Sequence, residues 1–77
     1  MDIGIDLEVE GLFDIPRCGT VVVGTVRSGD IRVGDVVEFR RVVATVAAIE
    51  QGRALFTEAL EGDRVGILLD GCHFDVA

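Results

Sequence analysis

The sequence contains no lysine, tryptophan or tyrosine, and only one proline and two cysteines among its 77 residues. Without lysine it lacks the Gly-x-x-x-x-Gly-Lys-Ser/Thr loop that holds nucleotide phosphates, so GTP binding by that route is not expected. Cys18 and Cys72 are too few for a disulfide framework. Because Cys72 adjoins His73, and an adjacent Cys-His pair seldom binds one metal ion with both side chains, neither a metal site nor a cofactor is expected.

Aromatic residues are scarce, since four phenylalanines are the only ones. They leave few rings for stacking on bases or for a large interface hot spot. No run of about 18 apolar residues occurs, so no membrane-spanning helix is expected. Residues 1–15 alternate acidic with hydrophobic side chains and lack the charged and apolar regions of a signal peptide, which predicts a cytoplasmic protein with free thiols.

Acidic residues outnumber basic ones by 14 to 7, which gives a formal net charge of −7. This charge repels phosphate backbones and disfavours broad electrostatic binding of nucleic acid, but it is compatible with a local pocket that grips one nucleotide end. The carboxylates of Asp6, Glu8, Glu10 and Asp14 are interpreted as a solvated strand face. The pattern of residues indicates no catalytic pair, and a non-catalytic binding protein is predicted.

The clearest pattern in the sequence is an alternation of hydrophobic and acidic residues with a period of two. Odd positions from Ile5 to Ile15 are hydrophobic or glycine and the even ones are acidic, except Leu12, which predicts a strand with one face in a core. Further strands are predicted at 19–27, 31–33, 36–39, 42–50, 65–69 and, last, 74–76. Residues 51–60 are interpreted as a long connection with at most one helical turn.

Glycine marks the expected bends. Gly24, inside the second predicted strand, indicates a bulge or a sharp bend. Gly34-Asp35 and Gly62-Asp63 each precede a strand, so the glycine is expected to take a positive φ and the aspartate to cap the turn. Short strands without a predicted helix indicate a sandwich or a closed barrel. Closure removes sheet edges in so short a chain, and the bend at Gly24 favours the barrel.

Three blocks of motif follow one another at a characteristic spacing. They are VEGLFDIP with GTVVVG at 9–24, GDIRVGDVVE at 29–38, and Ile49-Glu50 leading to GDRVGILLDG at 62–71. In order and spacing they resemble domain 2 of elongation factor Tu and its relatives, initiation factor 2 and the selenocysteine-specific factor. The resemblance covers about residues 7–71 of a single predicted domain, 1–77. It implies an all-β fold, a small closed six-stranded Greek-key β-barrel.

In that family the barrel receives the acceptor end of aminoacyl-tRNA, with its terminal adenosine in an apolar slot. The resemblance places the slot wall at Ile15, Val21 and Leu68, the carboxylate that reads a ribose hydroxyl at Glu50, and an arginine near the aminoacyl ester at Arg53. From the residues alone, the three apolar positions would be core residues in any barrel of this pattern. A Glu-x-x-Arg pair on a loop edge is commonly a solvated ion pair.

Four positions depart from the family pattern. Arg17-Cys18 replaces Gly-Arg, and the bulk of Arg17 would obstruct an approaching nucleotide. Gly52 replaces an aromatic residue. Arg64 replaces an asparagine near the amino acid, and its charge would disfavour a protonated α-amino group.

The predicted function is a non-catalytic binding module that contacts the aminoacyl-tRNA acceptor end, the ribosome or another translation protein. The alternative is a free-standing barrel that binds protein or self-associates as a homo-oligomer, with the tRNA role lost. Separation of so small a domain from its usual partners would expose surfaces that those partners cover, which makes self-association reasonable.

Overall fold

The computed structural model describes residues 6–17, 19–39 and 41–70, which form strands joined by turns, bends and short irregular segments. No helix among these residues has the length and hydrophobicity of a membrane span. The eight strands of the described chain are β1 (Leu7–Ile15), β2 (Gly19–Val26), β3 (Asp30–Arg32), β4 (Val36–Phe39), β5 (Val42–Gln51), β6 (Ala54–Phe56), β7 (Glu58–Leu60) and β8 (Arg64–Asp70). The strand predicted at 74–76 lies outside the described residues.

The main sheet is antiparallel and curled, with the strand order β1-β2-β8-β5-β4 and β6 paired to β5. Strands β3 and β7 form a separate two-stranded ribbon. The all-β, barrel-type fold is therefore confirmed. Full closure into a six-stranded barrel is not observed, because within the described chain β1 and β4 remain the two ends of the sheet and β3 and β7 pair with each other instead.

The segment 51–60, predicted to be a connection, forms strands instead. A positive φ of 67° at Gly52 permits a tight turn, so the chain folds back and Gln51 pairs with Ala54. After β6, strand β7 pairs with β3, where Ile31 lies opposite Ala59. Each new strand has only three residues, which is too short for a period of two to be recognised in the sequence.

Strand β1 carries a bulge at Glu10. The register shifts between Val9 and Gly11, so Glu10 is the extra residue, and Val9 lies opposite Gly24. A Cβ atom on Gly24 would collide with the carbonyl oxygen of Glu8, so the two strands approach this closely only because residue 24 is glycine. The irregularity predicted at Gly24 is present in this strand pair, but the additional residue belongs to β1.

The bulge reverses the faces of β1. Before it Leu7 is buried, and after it Leu12 packs against the core. Phe13 and Ile15, at the odd positions predicted to be inside, are 57% and 39% exposed. An extra residue shifts the period of two by one step, which sends the following odd positions to the opposite face. The apparent exception at Leu12 is thus a core position.

The core lies inside the curl of the sheet and is largely aliphatic. Its largest completely buried side chains come from β2, β5 and β8, and they are Val22, Val26, Val46, Ile49, Ile67, Leu69 and the hydroxyl-bearing Thr20. Neighbouring residues of the same strands, among them Val21 and Leu68, are only half-buried and face outward.

The two Gly-Asp turns adopt the predicted geometry. The glycine before each aspartate has a φ of 98° or 92°. In the turn between β3 and β4, Oδ2 of Asp35 accepts a hydrogen bond from the backbone N–H of Arg32 at 2.9 Å. In the turn between β7 and β8, Oδ2 of Asp63 accepts one from the N–H of Leu60 at 2.9 Å. The capping role predicted for both aspartates is confirmed.

Replacing either capping aspartate should weaken the fold. We expect Asp35→Ala and Asp63→Ala each to lower the free energy of unfolding by about 1 kcal/mol, since each removes a hydrogen bond that holds a turn. Urea unfolding followed by far-UV circular dichroism measures this. Glu61→Ala, at an exposed position in the second turn, is the matched control. Equal stability of all three variants and the original chain would contradict a capping role.

Candidate functional site

The outer face of the curled sheet carries a row of side chains that crosses four strands. Phe13 of β1 lies opposite Val21 of β2, and Val21 lies opposite Leu68 of β8. Leu68 in turn lies opposite Ala48 of β5. Because directly paired residues project from the same face of a sheet, these four form a continuous apolar row.

A second row runs beside it on the same face, two residues away along each strand. Val23 of β2 lies opposite Gly66 of β8, which lies opposite Glu50 of β5. Glu50 lies opposite Leu55 of β6, and Leu55 is 75% exposed. Val23 and Leu55 are thus the apolar ends of this row, and Gly66 and the Glu50 carboxylate lie between them.

Two adjoining hollows lie over these rows. The first has a volume of about 190 Å³ and is lined by Val21, Ala48, Glu50, Leu55, Gly66 and Leu68. The second has a volume of about 210 Å³ and is lined by Val21, Val23, Glu50, Gly52, Arg64, Val65 and Gly66. They share Val21, Glu50 and Gly66, so they form one depression, which we call the outer groove.

The depth of the outer groove depends on Gly66. A Cβ atom at this position would lie 3.4 Å from Cγ1 of Val21 and 3.9 Å from Cγ2 of Val23. These are ordinary van der Waals distances, so a side chain here would occupy the floor of both hollows without a severe clash. Because residue 66 has no side chain, the second row is open at its centre, and this opening is the floor of the groove.

Some of the residues predicted for the slot come together here. Val21, Leu68 and Glu50 line the first hollow, and Glu50 and Arg64 line the second. Neither hollow is lined by Ile15, which lies opposite Gly19 at the end of β1. The core interpretation of Ile15, Val21 and Leu68 is wrong, because the bulge turns the first outward and strand alternation turns out the other two.

Arg53 and Arg17 lie at turns outside the two hollows. Arg53 is exposed in the turn between β5 and β6, next to Gly52, which does line the second hollow. Arg17 is exposed in the turn after β1, with a φ of 69°, so it occupies a left-handed conformation that glycine adopts more easily. Obstruction of the groove by Arg17 is not apparent from its place in the turn.

Five residues that line the groove escaped the sequence analysis, and they are Val23, Ala48, Leu55, Val65 and Gly66. Leu55 lies in the segment interpreted as a connection, and the other three apolar residues lie in predicted strands, where the sequence did not show which face of the sheet each one takes. Gly66 did carry a signal, since a glycine inside an apolar strand indicates a bulge or a close approach of another group.

Arg64 is held by the bulge residue Glu10. Its Nη2 lies 2.8 Å from Oε1 of Glu10, and its Nε lies 3.1 Å from Oε2. These hydrogen bonds, together with the nearby positive charge, hold the pKa of the Glu10 carboxyl below its ordinary value of 4.5 and raise the pKa of Arg64. The pair is exposed and places a nearly neutral unit at the end of the second hollow.

The acidic residues predicted to form a solvated face, Asp6, Glu8, Glu10 and Asp14, are all exposed, and two of them also form surface ion pairs. Besides Glu10, Asp6 is engaged by Arg27, whose Nε lies 3.0 Å from Oδ1, and by the hydroxyl of Ser28. The hydrogen bond from Ser28, and then the hydrogen bond and the positive charge of Arg27, lower the pKa of Asp6. Within the part of the chain that the structure describes, no cluster of histidine, cysteine and carboxylate groups could hold a metal ion, while Cys18, Cys72 and His73 lie outside it.

Comparison with known proteins agrees with this architecture. The sequence model of the family described as elongation factor Tu domain 2 matches residues 19–73. The translation elongation factor SelB from Methanococcus maripaludis, in its apo form, is 32% identical over 91% of this chain, with a TM-score of 0.79. A bacterial selenocysteine-specific elongation factor, EF-Sec, has the same fold, with a TM-score of 0.77 and 22% identity over 99% of the chain. This chain spans 16% and 13% of those two proteins.

Removal of the Arg64 guanidinium should change how the protein responds to acid. A folded pKa below the unfolded one stabilises the fold above the unfolded pKa, and that stabilisation is lost as the pH falls through the folded pKa. We expect Arg64→Met to raise the pKa of Glu10 toward 4.5 and to leave a smaller loss of stability on acidification.

A carboxyl-detected NMR titration combined with urea unfolding between about pH 7 and pH 3 measures both effects. Arg27→Met is the matched control, because it removes a partner of Asp6 and should leave the titration of Glu10 unchanged. A Glu10 pKa that is the same in Arg64→Met and in the original chain would refute the pairing.

Proposed function

This chain belongs to the elongation factor Tu domain 2 family, and from that membership we propose that it is a non-catalytic binding module for the acceptor end of aminoacyl-tRNA. The 3′-terminal nucleoside would lie in the first hollow of the outer groove. The observation that supports this assignment is the convergence of Val21, Leu68 and Glu50 on one hollow. Such a module works beside the ribosome, in agreement with the expected cytoplasmic location.

The chemistry of the first hollow suits a nucleoside. Val21 and Leu68 supply an apolar surface for one face of the base, and the carboxylate of Glu50 accepts hydrogen bonds from ribose hydroxyls, which distinguish RNA from DNA. At about 190 Å³ the hollow is smaller than the pockets of about 300–1,000 Å³ that enclose drug-sized ligands. It therefore suits one exposed nucleoside rather than a double helix.

The second hollow continues from the first and suits the group esterified to the terminal ribose. Arg64 lies at its end, and a lone cation there would repel a protonated α-amino group. The Glu10 carboxylate, 2.8 Å from Nη2 of Arg64, offsets that charge. The ion pair thus reduces the repulsion between Arg64 and a protonated α-amino group that was expected from the sequence.

Titration with an RNA minihelix that ends in CCA and carries a 3′-amide-linked amino acid tests this function. We expect saturable shifts of the backbone amides of Glu50, Gly66 and Leu68 in the original chain. Glu50→Ala should weaken binding about tenfold or more, because it removes hydrogen bonds to a charged acceptor that are each worth about 1.5–3 kcal/mol. Gly66→Val should weaken binding by filling the groove.

The control for this experiment is Glu38→Ala, which removes an exposed carboxylate from β4, outside both hollows. It should bind as the original chain does. Amides of the groove that stay unshifted at high micromolar RNA would refute the proposed function. Equal affinities of Glu38→Ala and Glu50→Ala for the RNA would show that Glu50 takes no part in binding.

A second candidate function is self-association through the β4 end of the sheet. Within the described chain β4 pairs only with β5, and Val36 on it is 53% exposed, which is the kind of edge that pairs with another chain. Sedimentation equilibrium should then show a dimer whose fraction rises with concentration and falls in Val36→Lys. A monomer at every concentration would exclude this candidate.

A further inference from the structure

Strand β1 lies at one end of the main sheet, and within the described chain it pairs with β2 alone. It is nevertheless part of the core, because Leu7 is buried and Leu12 packs against the buried cluster. Its side-chain contacts also reach β8, where Nη2 of Arg64 lies 2.8 Å from Oε1 of Glu10. The fold therefore needs β1, although its backbone is held from one side.

The turn between β1 and β2 contains a strained residue. Residues 16–18 connect the two strands, and Arg17 has a φ of 69°. Other described turns place a glycine at positive φ, as at Gly29, Gly52 and Gly62, where the lack of a Cβ atom makes this conformation accessible. An arginine is strained there, because its Cβ atom approaches the following carbonyl oxygen too closely.

An extended connection would release this strain. Pro16 fixes its own φ near about −65°, which extended backbone accepts, and it disfavours the helical region for Ile15. Arg17 would then take the negative φ that L-residues prefer. With the connection extended, β1 points away from β2 of its own chain. The β1 of a second copy fits beside that β2, because it has the same core residues and the same bulge.

The other described non-glycine residue with a positive φ cannot be relieved in this way. Arg41, also at 69°, lies in the turn between β4 and β5. Opening that turn would divide the sheet, since it would also separate β2 from β8 and β3 from β7. Opening the β1–β2 turn breaks one strand pairing. Short connections under strain favour the exchange of a strand between copies, and here the strand that can leave is β1.

We propose that two copies of this chain exchange strand β1, and that release of the strain at Arg17 favours the exchanged dimer. The inference does not depend on RNA binding, since Val21, Leu68 and Glu50 come from strands that stay in one chain. It also differs from association through the β4 end, which leaves β1 in place. Exchange would change one contact beside the outer groove, because Arg64 would pair with Glu10 of the other copy.

A cross-link between β1 and β2 tests to which chain each β1 belongs. Glu8 lies directly opposite Thr25, so Glu8→Cys with Thr25→Cys places two thiols side by side on one face of the sheet. Cys18→Ser and Cys72→Ser remove the two cysteines of the sequence. The 77-residue variant is refolded from urea, oxidised with oxidised glutathione and run on a non-reducing gel. We expect a covalent dimer after refolding at high protein concentration and a single-chain product after refolding at low concentration.

A matched control uses a strand pair that exchange does not separate. Glu38 lies opposite Val43 in the β4–β5 hairpin, so Glu38→Cys with Val43→Cys, in the same serine background, should give a single-chain product at both concentrations. Val36→Lys, which tests association through the β4 end, should leave the covalent dimer of the Glu8 and Thr25 variant unchanged.

Two glycine substitutions test the role of the strain. We expect Arg17→Gly to weaken dimerisation about tenfold or more in sedimentation equilibrium, because each exchanged dimer releases the strain of two turns. Arg41→Gly relieves the same φ in a turn that stays closed in both forms. It should therefore stabilise monomer and dimer alike and leave the dimerisation constant unchanged.

The outcomes are distinct from those that test the proposed function. A single-chain product of the Glu8 and Thr25 variant at every concentration overturns the exchange, even where sedimentation shows a dimer, since the copies would then lie side by side. Equal dimerisation of Arg17→Gly and the original chain overturns it as well. A groove that binds no RNA refutes the proposed function and leaves the covalent dimer expected here unaltered.

Discussion

The extra residue Glu10, inserted between Val9 and Gly11 of β1, is the constraint on which the rest of the site depends. It is tolerated because residue 24 has no side chain to meet the Glu8 carbonyl. By shifting the alternation of β1 one step, it sends Leu12 to the core and Phe13 to the outer face. One irregularity thus decides both what the strand buries and which side chain it presents beside the groove.

The residues buried on the inner face of the sheet determine which side chains of β2 and β8 lie on the outer face. Val22 and Ile67 are completely buried, so their neighbours Val21 and Leu68 must point outward, since successive residues of a strand alternate. A slip of one residue would place the groove wall in the core and the core in water. The large free energy of apolar burial therefore holds the groove in place, and the groove residues themselves contribute little to that free energy.

The sequence sufficed for those features that depend on local patterns. The strands with long apolar or β-branched runs and both Gly-Asp turns were predicted correctly. A period of two indicates a strand with one buried face, and a Gly-Asp pair before a strand indicates a tight turn. The reversal within β1 was not, since an inserted residue leaves no mark except the apparent misfit at Leu12. Leu55 entered the groove unpredicted because β6 has three residues, and the depth at Gly66 is a property of three neighbouring strands together.

The charge of the chain limits the ways in which this groove could bind an RNA end, as proposed above. A protein of net charge −7 gains little from neutralising phosphates, and Arg64 beside the groove is already engaged by Glu10. In the proposed complex the favourable free energy of binding would have to come from apolar contact with Val21 and Leu68 and from the Glu50 carboxylate. Such contacts act only on unstacked bases with accessible faces and hydroxyls, as at a single-stranded end. The same acidity that disfavours a duplex would therefore confine the proposed contact to the few nucleotides that the groove can reach.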